Sequence, residues 1–218
     1  MVSTEVEPIA RLEPHGRAGA ARQRTAVRAQ KFSRAHTEGF RLLALNLHRM
    51  LEGDGPASIL VLSANRKEGR SMAAMSLGQV LAEIAPPVVI IDADPDGSGS
   101  DGLRAEARDE LWMPGIGDSD EPPALQVVAP WFRSGTQDNF LESVQSALDE
   151  AAAMGATVII DGPACTASST SFYLATKVTG VLYVARRRKI GPAVVHSDIR
   201  AQLELLGVRV LGVVVNEG

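Results

Sequence analysis

Residues 59–94 constrain the fold of this chain more than any other stretch. They read as a strand, Ile59-Leu60-Val61-Leu62, a turn that opens a helix, Ser63-Ala64-Asn65-Arg66-Lys67-Glu68-Gly69-Arg70-Ser71, and a second strand ending Ile90-Ile91-Asp92-Ala93-Asp94. Between them Leu77, Val80, Leu81 and Ile84 form the apolar stripe of a helix that Pro86-Pro87 ends. Strands that are continuous apolar runs belong to a parallel sheet covered on both faces, joined by a right-handed crossover. The turn partly matches a phosphate-binding loop. In that pattern a glycine, four free residues and Gly-Lys-Ser/Thr let backbone N–H groups wrap phosphates, an ammonium reach them and a hydroxyl hold Mg²⁺. Gly69 and Ser71 fit, while Ala64 and Arg70 stand where the first glycine and the lysine belong.

The alternation continues downstream. The patterning predicts strand 125–128, a helix from about 137 to 154, strand 157–161, a short helix near 169–176, strand 181–185, helix 192–206 and strand 210–215. This implies an α/β fold with a doubly wound, mostly parallel sheet flanked by helices, and a ligand at the carboxyl ends of the strands. Upstream, Phe40, Leu43, Leu47 and Leu51 recur at helical spacing behind Thr37 as N-cap, with Gly53-Asp54-Gly55-Pro56 as the stop. Glu38, Arg41, Asn46 and Arg49 fall on the opposite, exposed face. Residues 95–122, rich in Gly, Pro and acidic groups, read as a long connection with one short helix near 103–111.

A chain of 218 residues can build one domain with a sizeable core. The division expected is a basic arm, residues 1–36, and a globular unit, residues 37–218. The arm carries Arg11, Arg17, Arg22, Arg24, Arg28, Lys31 and Arg34 with few large apolar side chains, and reads as a solvated terminus. No apolar run has the length of a membrane span, and the first residues lack the order of a signal peptide, so a cytoplasmic location is expected. Cys165 is the one cysteine, which excludes an internal disulfide and a cysteine metal cluster; it reads as a buried, inert thiol. A formal net charge of −4 argues against a whole-molecule grip on nucleic acid.

Three groups fall at strand ends or in the first turn after one: Ser71, Asp92 and Asp161. Ser71 and, through water, Asp161 suit Mg²⁺, a hard ion that prefers oxygen and keeps part of its hydration shell. Asp92 or Asp94 could position an attacking hydroxyl or water, because phosphoryl transfer asks chiefly for alignment and charge neutralisation. Any one such Asp alone is as readily a cap for the next helix. Lys67, Glu68, Gly69, Arg70, Ser71 and Met72 are the candidate nucleotide contacts, with Arg70 the candidate catalytic cation. Arginine keeps the charge but is bulkier than lysine in a tight loop. Ala64 adds a Cβ where backbone would approach phosphate. Arg186-Arg187-Arg188-Lys189 follows a predicted strand, either as charge for phosphates or a partner, or as an exposed turn. The four histidines show no metal spacing, and Trp112 and Trp131 lie in or beside loops.

In order and spacing these motifs resemble the bacterial tyrosine kinase family, the cytoplasmic P-loop partners of capsular and exopolysaccharide chain-length regulators, related to the MinD and ParA ATPases. The similarity runs from about Thr37 to Asn216. Lys67-Glu68-Gly69-Arg70-Ser71 stands where the family has a Gly-Glu-Gly-Lys-Ser type of loop, and Ile91-Asp92-Ala93-Asp94 where it has its second Walker motif. Ile160-Asp161-Gly162-Pro163 replaces Asp-Thr-Pro-Pro, and the Asn of Leu211-Gly212-Val213-Val214-Val215-Asn216 is similar to one that lies near adenine in relatives. Glu38 and Arg41 keep two members of a Glu-x-x-Arg-x-x-Arg oligomerisation motif, with Ala44 in place of the third, and Asp96 stands where a basic residue is usual.

The resemblance implies a P-loop NTPase-like fold and ATP with Mg²⁺ as cofactors. It also implies a membrane polysaccharide co-polymerase, or chain-length regulator, as partner at the inner face of the cell membrane, and allows a homo-oligomer. If catalytic, the chain would hydrolyse ATP or act as a protein-tyrosine kinase. The altered loop predicts reduced or lost catalysis. The sequence ends at Gly218 without a tyrosine-rich tail, and Tyr173 and Tyr183 fall in predicted elements, so tail autophosphorylation is not expected of this chain. Two alternatives stay open. One is a MinD/ParA-like positioning ATPase, which would want a lysine where Asn65 stands and an amphipathic helix after Asn216. The other is a nucleotide-independent adaptor, which the altered loop by itself would suggest.

Overall fold

The strands of the computed structural model line up side by side, all parallel. It describes residues 34–53, 55–94, 124–128, 137–187 and 193–217. In chain order these form α1 (Arg34–Leu51), β1 (Ser58–Ser63), α2 (Arg70–Ile84), β2 (Val88–Asp92), β3 (Leu125–Val128) and α3 (Gln137–Ala153). They continue with β4 (Thr157–Asp161), α4 (Thr170–Ala175), β5 (Gly180–Arg186), α5 (Ala193–Leu205) and β6 (Val210–Asn216). The expected segment 95–122 with its short helix, the arm up to residue 33, Trp112, Trp131, Arg188 and Lys189 lie outside the described residues.

The sheet order is β3-β2-β4-β1-β5-β6. Every pairing is parallel. Because side chains alternate across a strand, the two faces of the apolar runs build two separate cores. Ile59, Val61, Ile90 and Ile159 join the stripes of α1 and α2 on one face. Leu60, Leu62, Ile91 and Ile160 join α3, α4 and α5 on the other. Burying each such side chain contributes about 1.5–3 kcal/mol before the cost of ordering it. Gly78 lets α2 sit tight against the sheet, since a Cβ there would stand 2.6 Å from Ile90 Cδ1.

Helix α1 begins a turn earlier than the sequence suggests, so Thr37 lies inside it and is not its N-cap. The early turn is held by two contacts: the His36 ring packs tilted against Phe40 at a centroid distance of 4.8 Å, and its Nε2 bonds to the Ser76 hydroxyl of α2 at 2.9 Å. Glu38, Arg41, Asn46 and Arg49 are exposed as expected. Ala44 is 0% exposed and packs in the core. An arginine at that position would have to enter the core, which explains the small residue. No helix among the described residues is long and apolar enough to cross a membrane.

The order of the strands fixes where a ligand can sit. The chain leaves β1 over one face through α2 and leaves β4 over the other through α4, while β1 and β4 are neighbours. Their diverging connections open a crevice above their carboxyl ends, the usual ligand position of a doubly wound sheet.

Candidate functional site

That crevice is framed by the β1–α2 loop and the segment following β4. The loop starts with Ala64, which is buried and does not adopt a positive φ. Its Cβ therefore carries no left-handed backbone strain. Its carbonyl accepts two bonds from Thr166, from the backbone N–H at 3.1 Å and from the hydroxyl at 2.8 Å. The Cys165 N–H donates to the Ser63 carbonyl at 3.0 Å, and the Ser63 hydroxyl to the Asn65 carbonyl at 2.8 Å. Burial pushes the Cys165 thiol up to about 12, in keeping with an inert group.

The middle of the loop holds its own strain and its own anion. Lys67 has φ 62°, the one positive φ of a non-glycine among the described residues. Such a residue costs on the order of 1–2 kcal/mol and is held by its surroundings, often at functional sites. Arg186, at the end of β5, reaches the Lys67 carbonyl at 3.5 Å. Glu68 is 1% exposed, and its carboxylate folds back on the loop. It accepts the Asn65 backbone N–H at 3.1 Å and the Asn65 side-chain amide at 3.2 Å. Gly69 (φ 98°) turns the chain into α2, whose first turn has no side-chain cap. A Cβ at position 69 would already collide with the Asn216 amide. Asn216, at the end of β6, donates to the Glu68 carbonyl at 3.1 Å. An uncapped helix start presents amides and the positive end of the helix dipole to an anion.

Below the loop lies a buried charge cluster. The register pairs Asp92 of β2 with Asp161 of β4, and the Ala93 N–H donates to the Asp161 carbonyl at 2.9 Å. Asp94 turns back so that its N–H donates to Asp92 Oδ1 at 3.2 Å. Arg70, only 5% exposed, points into this group. Its Nη2 donates to Asp94 Oδ2 at 2.9 Å and its Nε stands 3.9 Å from Asp161 Oδ1. Arg70 Nη1 and both carboxylate oxygens of Asp161 are buried without a hydrogen-bond partner. Burial pushes Asp161 up to about 7; the Arg70 guanidinium and the nearby Ser71 hydroxyl pull it down, and Asp92 and Asp94 repel its charge.

The predicted residues are thus brought to one place: Lys67, Glu68, Gly69, Arg70 and Ser71 in the loop and first turn, Asp92, Asp94 and Asp161 beneath, Asn216 against the loop from β6. Arg70, whose direction the sequence leaves open, faces the carboxylates. Sequence reading missed Thr166 and the Asn65–Glu68 clasp. A run of hydroxyl residues from Thr166 to Thr170 was the available signal for the first; nothing in the sequence marks the second. Arg187 pairs with Glu217 at 3.0 Å on the surface. On α1, Arg41 bridges Glu38 at 3.1 Å and Glu83 of α2 at 3.3 Å, all exposed. A cleft of about 540 Å³ runs from Gly69 and Met72 between α1 and β6, past Phe40, Val213 and Asn216.

A parallel sheet with this crevice, flanked by helices on both faces, makes a doubly wound α/β fold. Solved structures share it. The kinase domain of Escherichia coli tyrosine kinase ETK aligns over 83% of this chain and 74% of its own, at 23% identity and a TM-score of 0.61. The VpsO kinase domain aligns over 84% and 96%, at 18% identity and TM-score 0.63. The chimerical protein CapA2B2 aligns over 89% and 94%, at 20% identity and TM-score 0.62. No protein-family model and no curated protein sequence matches the chain.

Proposed function

We propose that this chain is a degenerate member of the bacterial tyrosine kinase family that receives ATP·Mg²⁺ at the β1–α2 loop. Its catalysis is reduced or lost, and it serves polysaccharide assembly or export by docking on a membrane chain-length regulator. The observation that carries the nucleotide reading is the buried group of Arg70, Asp94 and Asp161 directly beneath the uncapped start of α2. The bacterial tyrosine kinase domains that share the fold support the family reading, and the resemblance supplies the partner.

The residues fit a hydrated divalent cation. Both Asp161 oxygens are buried, Oδ1 facing the Arg70 guanidinium at 3.9 Å, and the Ser71 hydroxyl stands beside the carboxylate. Among the described residues no three His, Cys, Asp or Glu side chains form a direct metal-binding group. Ser71 would hold the ion directly and Asp161 through its water shell, as suits Mg²⁺. Bound there, Mg²⁺ would neutralise charge on the phosphates. The first-turn amides of α2 orient the anion, Arg70 supplies a second cation, and Asp92 or Asp94 aligns an attacking hydroxyl by accepting its hydrogen bond. Met72 and Asn216 border the cleft, whose size suits a nucleoside.

Calorimetric titration with ATP·Mg²⁺ tests this. Binding that Ser71→Ala and Asp161→Asn both weaken is expected, with a thermal shift to match. No heat and no stabilisation at millimolar nucleotide would sink it. A nucleotide-independent adaptor is the second reading, favoured by the loop's internal satisfaction through Glu68 and Arg70.

A further inference from the structure

The charged groups of the loop described above already have contacts within the protein without a ligand. Glu68 puts a carboxylate on the Asn65 amide, and Arg70 puts a guanidinium among Asp94, Asp161 and Asp92. A phosphate-binding loop works the other way round, with amides facing an external anion and carboxylates facing an external cation. Arg70 therefore holds the ground that a divalent cation would need. At 3.9 Å from Asp161 and in direct contact with Asp94, a fixed positive charge in a buried site repels a second cation strongly.

The contact is incomplete in a way that leaves room for exchange. Arg70 Nη1 and both Asp161 oxygens have no hydrogen-bond partner although they are buried. Guanidinium binds phosphate oxygens through paired N–H groups as well as it binds carboxylate. A polyphosphate at the start of α2 would offer Arg70 those oxygens, and its departure would leave Asp94 and Asp161 as a net negative pair.

We propose that Arg70 is the resting counter-cation of this site, so that the site takes a polyphosphate anion first and admits a divalent cation only when the anion draws the guanidinium away from Asp94 and Asp161. This rests on the nucleotide reading above and adds an order of binding to it. A lysine could not fill both roles as well, because its compact ammonium lacks the paired donors that bridge two acceptors.

Two measurements on the full chain test it. The first follows manganese alone, by the electron paramagnetic resonance signal of the free ion, without any phosphate. The wild type should take up none below the millimolar range, and Arg70→Gln should bind roughly tenfold more tightly or better, since a fixed like charge has gone. Equal uptake by the two proteins overturns the proposal. The second needs no variant, in case Arg70→Gln does not fold. Inorganic tripolyphosphate is titrated in the presence of a chelator, and the Arg70 Nε–H resonance is followed alongside the backbone amides of residues 64–72. A shift of the Arg70 signal together with those amides supports the exchange. Amide shifts with an unmoved Arg70 overturn the exchange and leave the nucleotide reading standing; no binding of the metal-free tripolyphosphate overturns the anion-first order, and the nucleotide reading falls only if the ATP·Mg²⁺ titration fails as well.

Discussion

Arg70 decides most of what happens at the site, and its worth to the fold follows from what it would leave behind. Asp161 is 0% exposed and Asp94 3%. Removing the guanidinium strands two buried carboxylates, and breaking such a pair from one side typically costs about 3–5 kcal/mol. Arg70→Ala should therefore lose stability of that order at neutral pH, measured by urea unfolding, while Arg187→Ala, whose partner is exposed, should change it by less than about 1 kcal/mol. Asp161 sets a pH dependence. Burial holds its acid up to about 7 in the folded protein, well above the ordinary carboxylate range near 3.8, so the folded state binds the proton more tightly. Its contribution to stability is full below pH 4 and is lost as pH rises through about 7. Asp161→Asn should flatten the urea midpoint across that window; an unchanged slope contradicts the assignment. At Ala64 the pattern shows which residue is missing and not which φ the backbone adopts. With no positive φ there, Ala64→Gly should destabilise by about 0.4–1 kcal/mol through the unfolded chain, where a relief of strain would have raised stability.

Elements were legible where one period dominates. Strands β1, β2 and β4 are uninterrupted apolar runs bounded by polar or turn residues, so their bounds could be read nearly to the residue. Helix α1 shows the limit: Thr37 looks like a cap, but the start is set by His36 reaching Ser76 forty residues away, a contact that no local pattern encodes. The loop between β1 and α2 is similar. Its motif positions were readable, while the turning of Arg70 inward and of Glu68 onto Asn65 comes from long-range pairing of β2 with β4 and from the strained Lys67. The junction of this loop with β6 rests on Gly69. Gly69→Ala should cost about 1–3 kcal/mol, since it combines a positive φ with a collision against the Asn216 amide. Adding Asn216→Ala should recover part of that loss by removing the collision, leaving the backbone strain. A double-mutant cycle reads the difference, and strict additivity would contradict the contact.

At the scale of the whole molecule the alternation of strands and helices already implied the doubly wound parallel sheet, because few other arrangements bury apolar strands on both faces. The site followed from that: a parallel sheet places its ligand at a switch point, and Ser71, Asp92 and Asp161 sit at or beside that edge. What stayed hidden was the burial of Arg70 against two of the three aspartates, since the sequence counts these groups without showing which of them meet. On this reading a loop lacking its lysine and first glycine still receives nucleotide phosphates, with Arg70 changing partners to do so. The decisive experiment is a crystal structure of the chain with a non-hydrolysable ATP analogue and Mg²⁺. Phosphates against the first turn of α2, Ser71 at the metal and Arg70 withdrawn from Asp94 are the expected result. An analogue that leaves the loop empty, with the 2.9 Å Arg70–Asp94 contact intact, would contradict it.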